Sequence, residues 1–156
     1  TTGHAGVDHL TRAAHPLLRA VAPDQSEGRR CAAVSVVSVL IVDDQVLFLR
    51  AMSAVIEETD GFRVVARAGS GEEAIAAAGA LLPDLVLMDV NLPGIDGPEA
   101  TRRLRRRPSP PVVLLLSTYD EDAGARFIAE CGASAYITKS AFGPDRLRDA
   151  WTAATT

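Results

Sequence analysis

The feature that most constrains this chain is one arrangement repeated along it: a short apolar run that stops at a polar, reactive side chain. Leu85-Val-Leu-Met runs straight into Asp89, and the Pro/Gly-rich Val90-Asn-Leu-Pro-Gly-Ile-Asp-Gly97 follows at once. Val36-Val-Ser-Val-Leu-Ile-Val42 ends in Asp43-Asp44, Pro110-Pro-Val-Val-Leu-Leu-Leu116 in Ser117-Thr118, and Ala133-Ser-Ala-Tyr-Ile-Thr138 in Lys139. Apolar runs of this length bounded by turn residues read as strands buried on both faces, the habit of parallel sheets. In such sheets, ligands collect outside the carboxyl ends of the strands.

Between the runs lie segments of helical spacing. Phe48, Met52, Val55 and Ile56 recur at i, i+4, i+7 and i+8, which predicts a core-facing stripe. Leu47 and Leu49 fall off that stripe and are expected to present apolar surface elsewhere. Asp60-Gly61 is a turn before a further strand, Phe62–Ala68. Ser70 or Gly71 opens an alanine-rich helix that ends near Leu82-Pro83. Pro98 suits the first turn of the next helix, which continues through Thr101-Arg-Arg-Leu-Arg-Arg-Arg107. Asp120-Glu-Asp opens another, with Gly124, Phe127, Ile128 and Cys131 on one face and Gly132 closing it. Gly143-Pro-Asp starts a last helix with Leu147, Ala150 and Trp151 inward. Five strands and five helices in strict alternation make a (βα)5 doubly wound α/β fold the economical reading.

At 156 residues there is room for one ordinary domain and a short extension. Residues 1-34 hold all three histidines (His4, His9, His15) and two prolines, and are expected to be a poorly ordered or partly helical extension; residues 35-156 form the domain. A net charge of −4 argues against a nucleic-acid binder, which needs a basic face. The arginine run carries a single large apolar residue, Leu104, and reads as a solvated helix face. Cys31 and Cys131 form no CxxC, a pattern suited to a reducing, cytoplasmic setting. No apolar run approaches the roughly 18 residues of a membrane span.

The strand ends supply a carboxylate pair, a lone carboxylate, a hydroxyl and an ammonium. Each has an ordinary reading: the acids as helix or turn caps, Lys139 as a surface lysine. Together they have chemical logic. Three carboxylates gathered at one edge repel one another unless a cation neutralises them, and hard oxygen donors suit Mg²⁺ or Mn²⁺. Asp89 could then act as a nucleophile on phosphorus, giving an acyl phosphate. The metal on Asp43 and Asp44, the Lys139 ammonium and the Ser117 hydroxyl would stabilise the phosphoryl oxygens.

These residues carry a resemblance. Asp43-Asp44, Met88-Asp89-Val-Asn-Leu-Pro-Gly-Ile-Asp-Gly97, Leu116-Ser117-Thr118 and Gly132-Ala-Ser-Ala-Tyr-Ile-Thr-Lys139 resemble the receiver domain of two-component response regulators, from about Val36 to the C-terminus. The wording around Asp44 and Lys139 looks most like the NarL/FixJ (LuxR-type) branch. The resemblance implies a flavodoxin-like fold with strand order 2-1-3-4-5 and Asp89 as phosphoacceptor. It implies Asp44 and Asp89 as direct metal ligands, Asp43 through water, and Asn91 through its backbone carbonyl. Ser117 and Tyr136 would be the switch hydroxyl and switch aromatic, with Tyr136 rotating inward when Ser117 moves. A sensor histidine kinase, homodimerisation, a linked output domain and control of transcription follow from the same source, with no DNA binding by this chain alone and no catalysis beyond its own phosphorylation and dephosphorylation.

One departure concerns the Lys139 loop. Many receivers carry Pro after the lysine, whereas here it is Ser140, and a cis peptide without Pro costs roughly 3 kcal/mol. Competing functions fare worse. A phosphohydrolase of the aspartyl type needs a second acid two residues after the nucleophile, and that position is Asn91. A flavin-binding relative would need a phosphate-cradling loop after the first strand. The alternative is a stand-alone or phosphorylation-independent receiver acting as a protein-interaction module, and the phosphorylation-independent kind would be expected to lack one of the acids or the lysine.

Overall fold

A computed structural model of the chain describes residues 35–156. The expected extension, with its histidines and Cys31, lies outside the described residues. The order is β1 (Val37–Val42), α1 (Val46–Glu57), β2 (Phe62–Ala68), α2 (Gly71–Leu81), β3 (Leu85–Asp89), α3 (Gly97–Arg105), β4 (Val112–Ser117), α4 (Gly124–Cys131), β5 (Ala135–Thr138) and α5 (Pro144–Thr155). The strands form one parallel sheet in the order β2-β1-β3-β4-β5.

Helices cover both faces, so successive strand residues enter different cores. Leu40, Val42, Val86, Met88, Val113 and Leu115 pack with Ala74, Ala78, Ala100 and Leu104 from α2 and α3. Val39, Ile41, Leu85, Leu87, Leu114 and Leu116 pack with Met52 and Ile56 of α1 and Leu147 and Ala150 of α5. Every residue of β3 is buried. That explains why its sequence shows no alternation.

Local signals set most of the boundaries. Ser70 caps α2 by accepting the Glu73 N–H, and Asp96 caps α3 by accepting the Glu99 N–H. β4 begins at Val112, two residues later than the apolar run, because Pro110 and Pro111 have no N–H to give a ladder. Ahead of α4, Asp120 caps a 3-10 turn, Glu121–Ala123, and regular helix starts only at Gly124.

Two expectations need correction. Leu49 is not an outward residue: it is half-buried against the α1–α5 core, lying three, four and seven positions before Met52, Ser53 and Ile56. Leu47 is outward as expected, with 79% of its surface exposed. The arginine run is not simply solvated. Arg102 and Arg103 pair with Glu99, and Arg102 also donates to the Glu130 carbonyl at 3.2 Å. Arg105 donates to the Pro111 carbonyl and Arg107 to that of Ile75. These guanidiniums tie α3 to α4, to the entry of β4 and to α2.

Candidate phosphoacceptor site

Parallel strands point the same way, so the ends of β1, β3, β4 and β5 deliver their last side chains to one rim. β1 lies between β2 and β3, so the chain direction of winding reverses beside it, where open α/β sheets bind ligands. Asp43, Asp44 and Asp89 meet there: one carboxylate oxygen from each lies within 4.8 Å of the others. Asp43 is fully buried and Asp89 nearly so, whereas Asp44 faces solvent.

The buried acids are held by donors from several elements. Asp43 Oδ1 accepts the Gln45 N–H at 2.9 Å, and its Oδ2 accepts from Lys139 Nζ at 2.6 Å. The same ammonium stands 3.5 Å from Asp89 Oδ2. Asp89 Oδ1 accepts the Asn91 N–H at 3.4 Å. Burial, and next the negative charge of Asp43, push the Asp89 carboxyl up to about 6, against the opposing pull of Lys139 and the Asn91 N–H. By count, three carboxylates share one ammonium at this rim.

A divalent cation would correct that imbalance. The donors are hard carboxylate oxygens, close enough to share one ion, and two of the three are sheltered from water. The residues present fit the metal that the resemblance implies.

The loop after Asp89 is itself braced. An added Cβ at Gly97 would lie 2.1 Å from the Asp89 carbonyl oxygen, so only glycine lets α3 start this close to the acid. Glu72 at the start of α2 accepts the Ile95 N–H at 2.9 Å, pinning the middle of the same loop. The Lys139 loop needs no cis peptide: none occurs among the described residues, and a 3-10 turn over Lys139–Ala141 aims the lysine at the acids.

Ser117 is fully buried at the end of β4, and its Oγ accepts the Tyr119 N–H at 3.1 Å. Tyr136 is not outside waiting to rotate in. The residue is 7% exposed, its ring is stacked on Phe127 with centroids 6.1 Å apart, and its hydroxyl donates to the Tyr119 carbonyl at 2.9 Å. Gly124 makes the space: a Cβ there would fall 2.7 Å from the Tyr136 ring. One residue, Tyr119, thus joins the serine to the tyrosine, through its N–H on one side and its carbonyl on the other. Nothing in the spacing of Tyr119 along the chain singles it out for this part. Sequence spacing read Phe48 as a core residue, although the ring lies against the Lys139 ammonium, 4.2 Å from Nζ to the centroid. Its position four residues after Asp44, on the first turn above the site, was the available signal.

A five-stranded doubly wound sheet with an acid triplet, a lysine and a buried hydroxyl on one rim defines a receiver module. The chain belongs to the response regulator receiver domain family, whose model matches residues 39–152. It is 41% identical over 105 residues to the response regulator GacA of Pseudomonas viridiflava, covering 67% of this chain and 49% of that protein. It is 34% identical over 105 residues to the response regulator UvrY of Escherichia coli O157:H7, covering 67% and 48%. Among solved structures, it is similar to a LuxR-family two-component response regulator from Aurantimonas sp. SI85-9A1, with 35% identity and a TM-score of 0.68 over 76% of this chain and 84% of that one. The NarL signal receiver domain from Mycobacterium tuberculosis matches with 27% identity and a TM-score of 0.69, covering 78% and 98%. The chain spans about half the length of the curated relatives it matches.

Proposed function

We propose that this receiver accepts a phosphoryl group on Asp89 and uses the resulting change at Ser117 to alter the surface built on α4 and β5. The observation that carries the reading is the meeting of Asp43 and Asp89 around the Lys139 ammonium, the three coming from the ends of three different strands. Asp89 attacks phosphorus through a carboxylate oxygen, and the bond from phosphorus to the donor's leaving group breaks as the acyl phosphate forms. Asp44 and Asp89 would bind Mg²⁺ directly, with Asp43 through water and the Asn91 carbonyl completing the protein's share. The ion supplies positive charge against the phosphoryl oxygens when bound. Lys139 moves its ammonium from Asp43 toward a phosphoryl oxygen, a shift that its flexible stem allows. Burial of Asp43 and Asp89 keeps these attractions strong.

Signalling then follows from competition for one hydroxyl. The Ser117 Oγ–H is the only donor on that side chain. If the side chain rotates to bring that O–H to a phosphoryl oxygen, Oγ leaves the Tyr119 N–H that it now accepts, and Tyr119 in turn holds Tyr136. The event is a local charge change that biases two packings of one surface. The phosphodonor would be a sensor histidine kinase, and the downstream effect control of transcription through a linked output domain; the match to a two-component response regulator, and to a relative named as a transcriptional regulatory protein, supports this reading.

The test is phosphorylation with acetyl phosphate and Mg²⁺, read by intact mass and phosphate-affinity electrophoresis. Wild type should gain one phosphate, and EDTA or Asp89→Asn should abolish the gain. A phosphate retained in Asp89→Asn places the acceptor elsewhere.

A further inference from the structure

We infer that Phe48 is a positioning residue for Lys139: its ring is the platform on which the ammonium travels between Asp43 and a phosphoryl group on Asp89. The inference rests on the phosphoacceptor reading above and deepens it.

Lys139 reaches the site on a long, rotatable stem, and its side chain keeps 11% of its surface in contact with solvent. An ammonium has three N–H donors. The carboxylates of Asp43 and Asp89 lie on one side, at 2.6 and 3.5 Å. The face of Phe48 lies 4.2 Å from Nζ, well inside the range at which a ring quadrupole attracts a cation. The ring is itself fixed. It sits on the first turn of α1, half-buried against the core that α1 and α5 share with the sheet.

The chemistry of the partner matters. Another carboxylate or carbonyl here would accept a directional hydrogen bond and hold the ammonium in one place. A π face attracts positive charge without claiming a particular N–H. It therefore keeps Lys139 at the rim, sheds water from that side, and leaves its donors free to exchange one oxygen for another. Ser140 makes such a device useful, since no proline stiffens the chain immediately after Lys139.

The experiment replaces Phe48 by ring-fluorinated phenylalanines of increasing fluorination, with Phe48→Leu and Phe48→Tyr alongside. Fluorination drains the ring's negative face while nearly keeping its shape. Two readouts are taken in the full chain: the rate of Asp89 phosphorylation by acetyl phosphate with Mg²⁺, and the ε-CH₂ NMR shift of Lys139, which a ring overhead moves upfield. The rate should fall stepwise with fluorination and about tenfold in Phe48→Leu, and Phe48→Tyr should restore it. The upfield shift should disappear in Phe48→Leu. A wild-type rate in the most fluorinated variant overturns the proposal, as does an unchanged Lys139 shift in Phe48→Leu. A wild-type chain that takes no phosphate at all would instead overturn the phosphoacceptor reading, and the Lys139 shift would still judge the contact.

Discussion

At the scale of single residues, burial of Asp89 makes stability depend on pH. Asp89 is held at about 6 against an ordinary value of 3.8, so between these pH values the folded protein keeps a proton that the unfolded chain has released. Stability of the metal-free protein contributed by this group is greatest below about pH 4, falls as pH rises to about 6, and is flat above that. Asp89→Asn removes the burdened charge. Its stability advantage over wild type should be small at pH 4 and grow to about 2–3 kcal/mol at pH 7, following the roughly 1.4 kcal/mol carried by each pKa unit. Saturating Mg²⁺ should shrink that advantage, because the ion binds the folded carboxylates of wild type more tightly than those of the variant. Urea midpoints at a series of pH values, with Mg²⁺ and with EDTA, measure both effects. An advantage that is the same at pH 4 and pH 7 would show that Asp89 carries no such burden.

At the scale of elements, α4 is the helix with few buried side chains of its own. It is short, eight residues, and only Gly124 and Cys131 are buried along it. Cys131, Phe127 and Ile128 pack it on the core, and Phe127 is stacked between the rings of Tyr119 and Tyr136. Gly124→Ala should push the Tyr136 ring outward, because the new methyl would come within 2.7–2.9 Å of the ring and its Cβ. Crowding of that kind costs about 1–3 kcal/mol, while alanine recovers close to 1 kcal/mol of helix propensity. A net loss of about 1 kcal/mol is expected. NMR spectra should show the Tyr136 hydroxyl released and amide shifts centred on α4 and β5. If Tyr136 stays buried with its hydroxyl bonded, the α4 backbone yields more easily than this packing implies. Ser117→Ala and Tyr136→Ala should each blunt the α4 response to beryllofluoride. Full wild-type responses in both would mean that another element carries the signal.

At the scale of the whole molecule, charge and packing point to protein partners. The chain carries −4 overall, and four of its five clustered arginines spend donors on Glu99 or on carbonyls of neighbouring elements. Non-specific DNA binding draws on free cations that displace counterions, so no DNA binding by this chain is expected at physiological salt. Phosphorylation should instead promote self-association or docking on a protein. Light scattering with and without beryllofluoride, paired with anisotropy on labelled duplex DNA, checks both halves. DNA binding lost on replacing Arg102, Arg103, Arg105, Arg106 and Arg107 would show that the run has a second use. Among the described residues, no helix is long and apolar enough to cross a membrane.

What the sequence determined by itself was whatever depends on near neighbours along the chain. Buried parallel strands declare themselves as apolar runs, helices as 3.6-residue stripes, and their ends as prolines, glycines and capping acids. β2 and β3 have the bounds that this reasoning predicts, and the strand order expected from the resemblance is the one observed. Because parallel strands share a direction, the polar groups closing β1, β3, β4 and β5 were bound to meet at one rim. Tertiary structure alone decided which atoms touch. Lys139 binds Asp43 across 96 positions of chain, and the Phe48 ring covers the ammonium from a helix that sequence read only as core. Tyr136 lies inside because Gly124 happens to face it, a vacancy that neither residue's own neighbourhood encodes. Period and composition are summed over a few residues of one segment. Contacts of this kind depend on where the winding of the sheet sets two segments against each other, to within a fraction of an ångström.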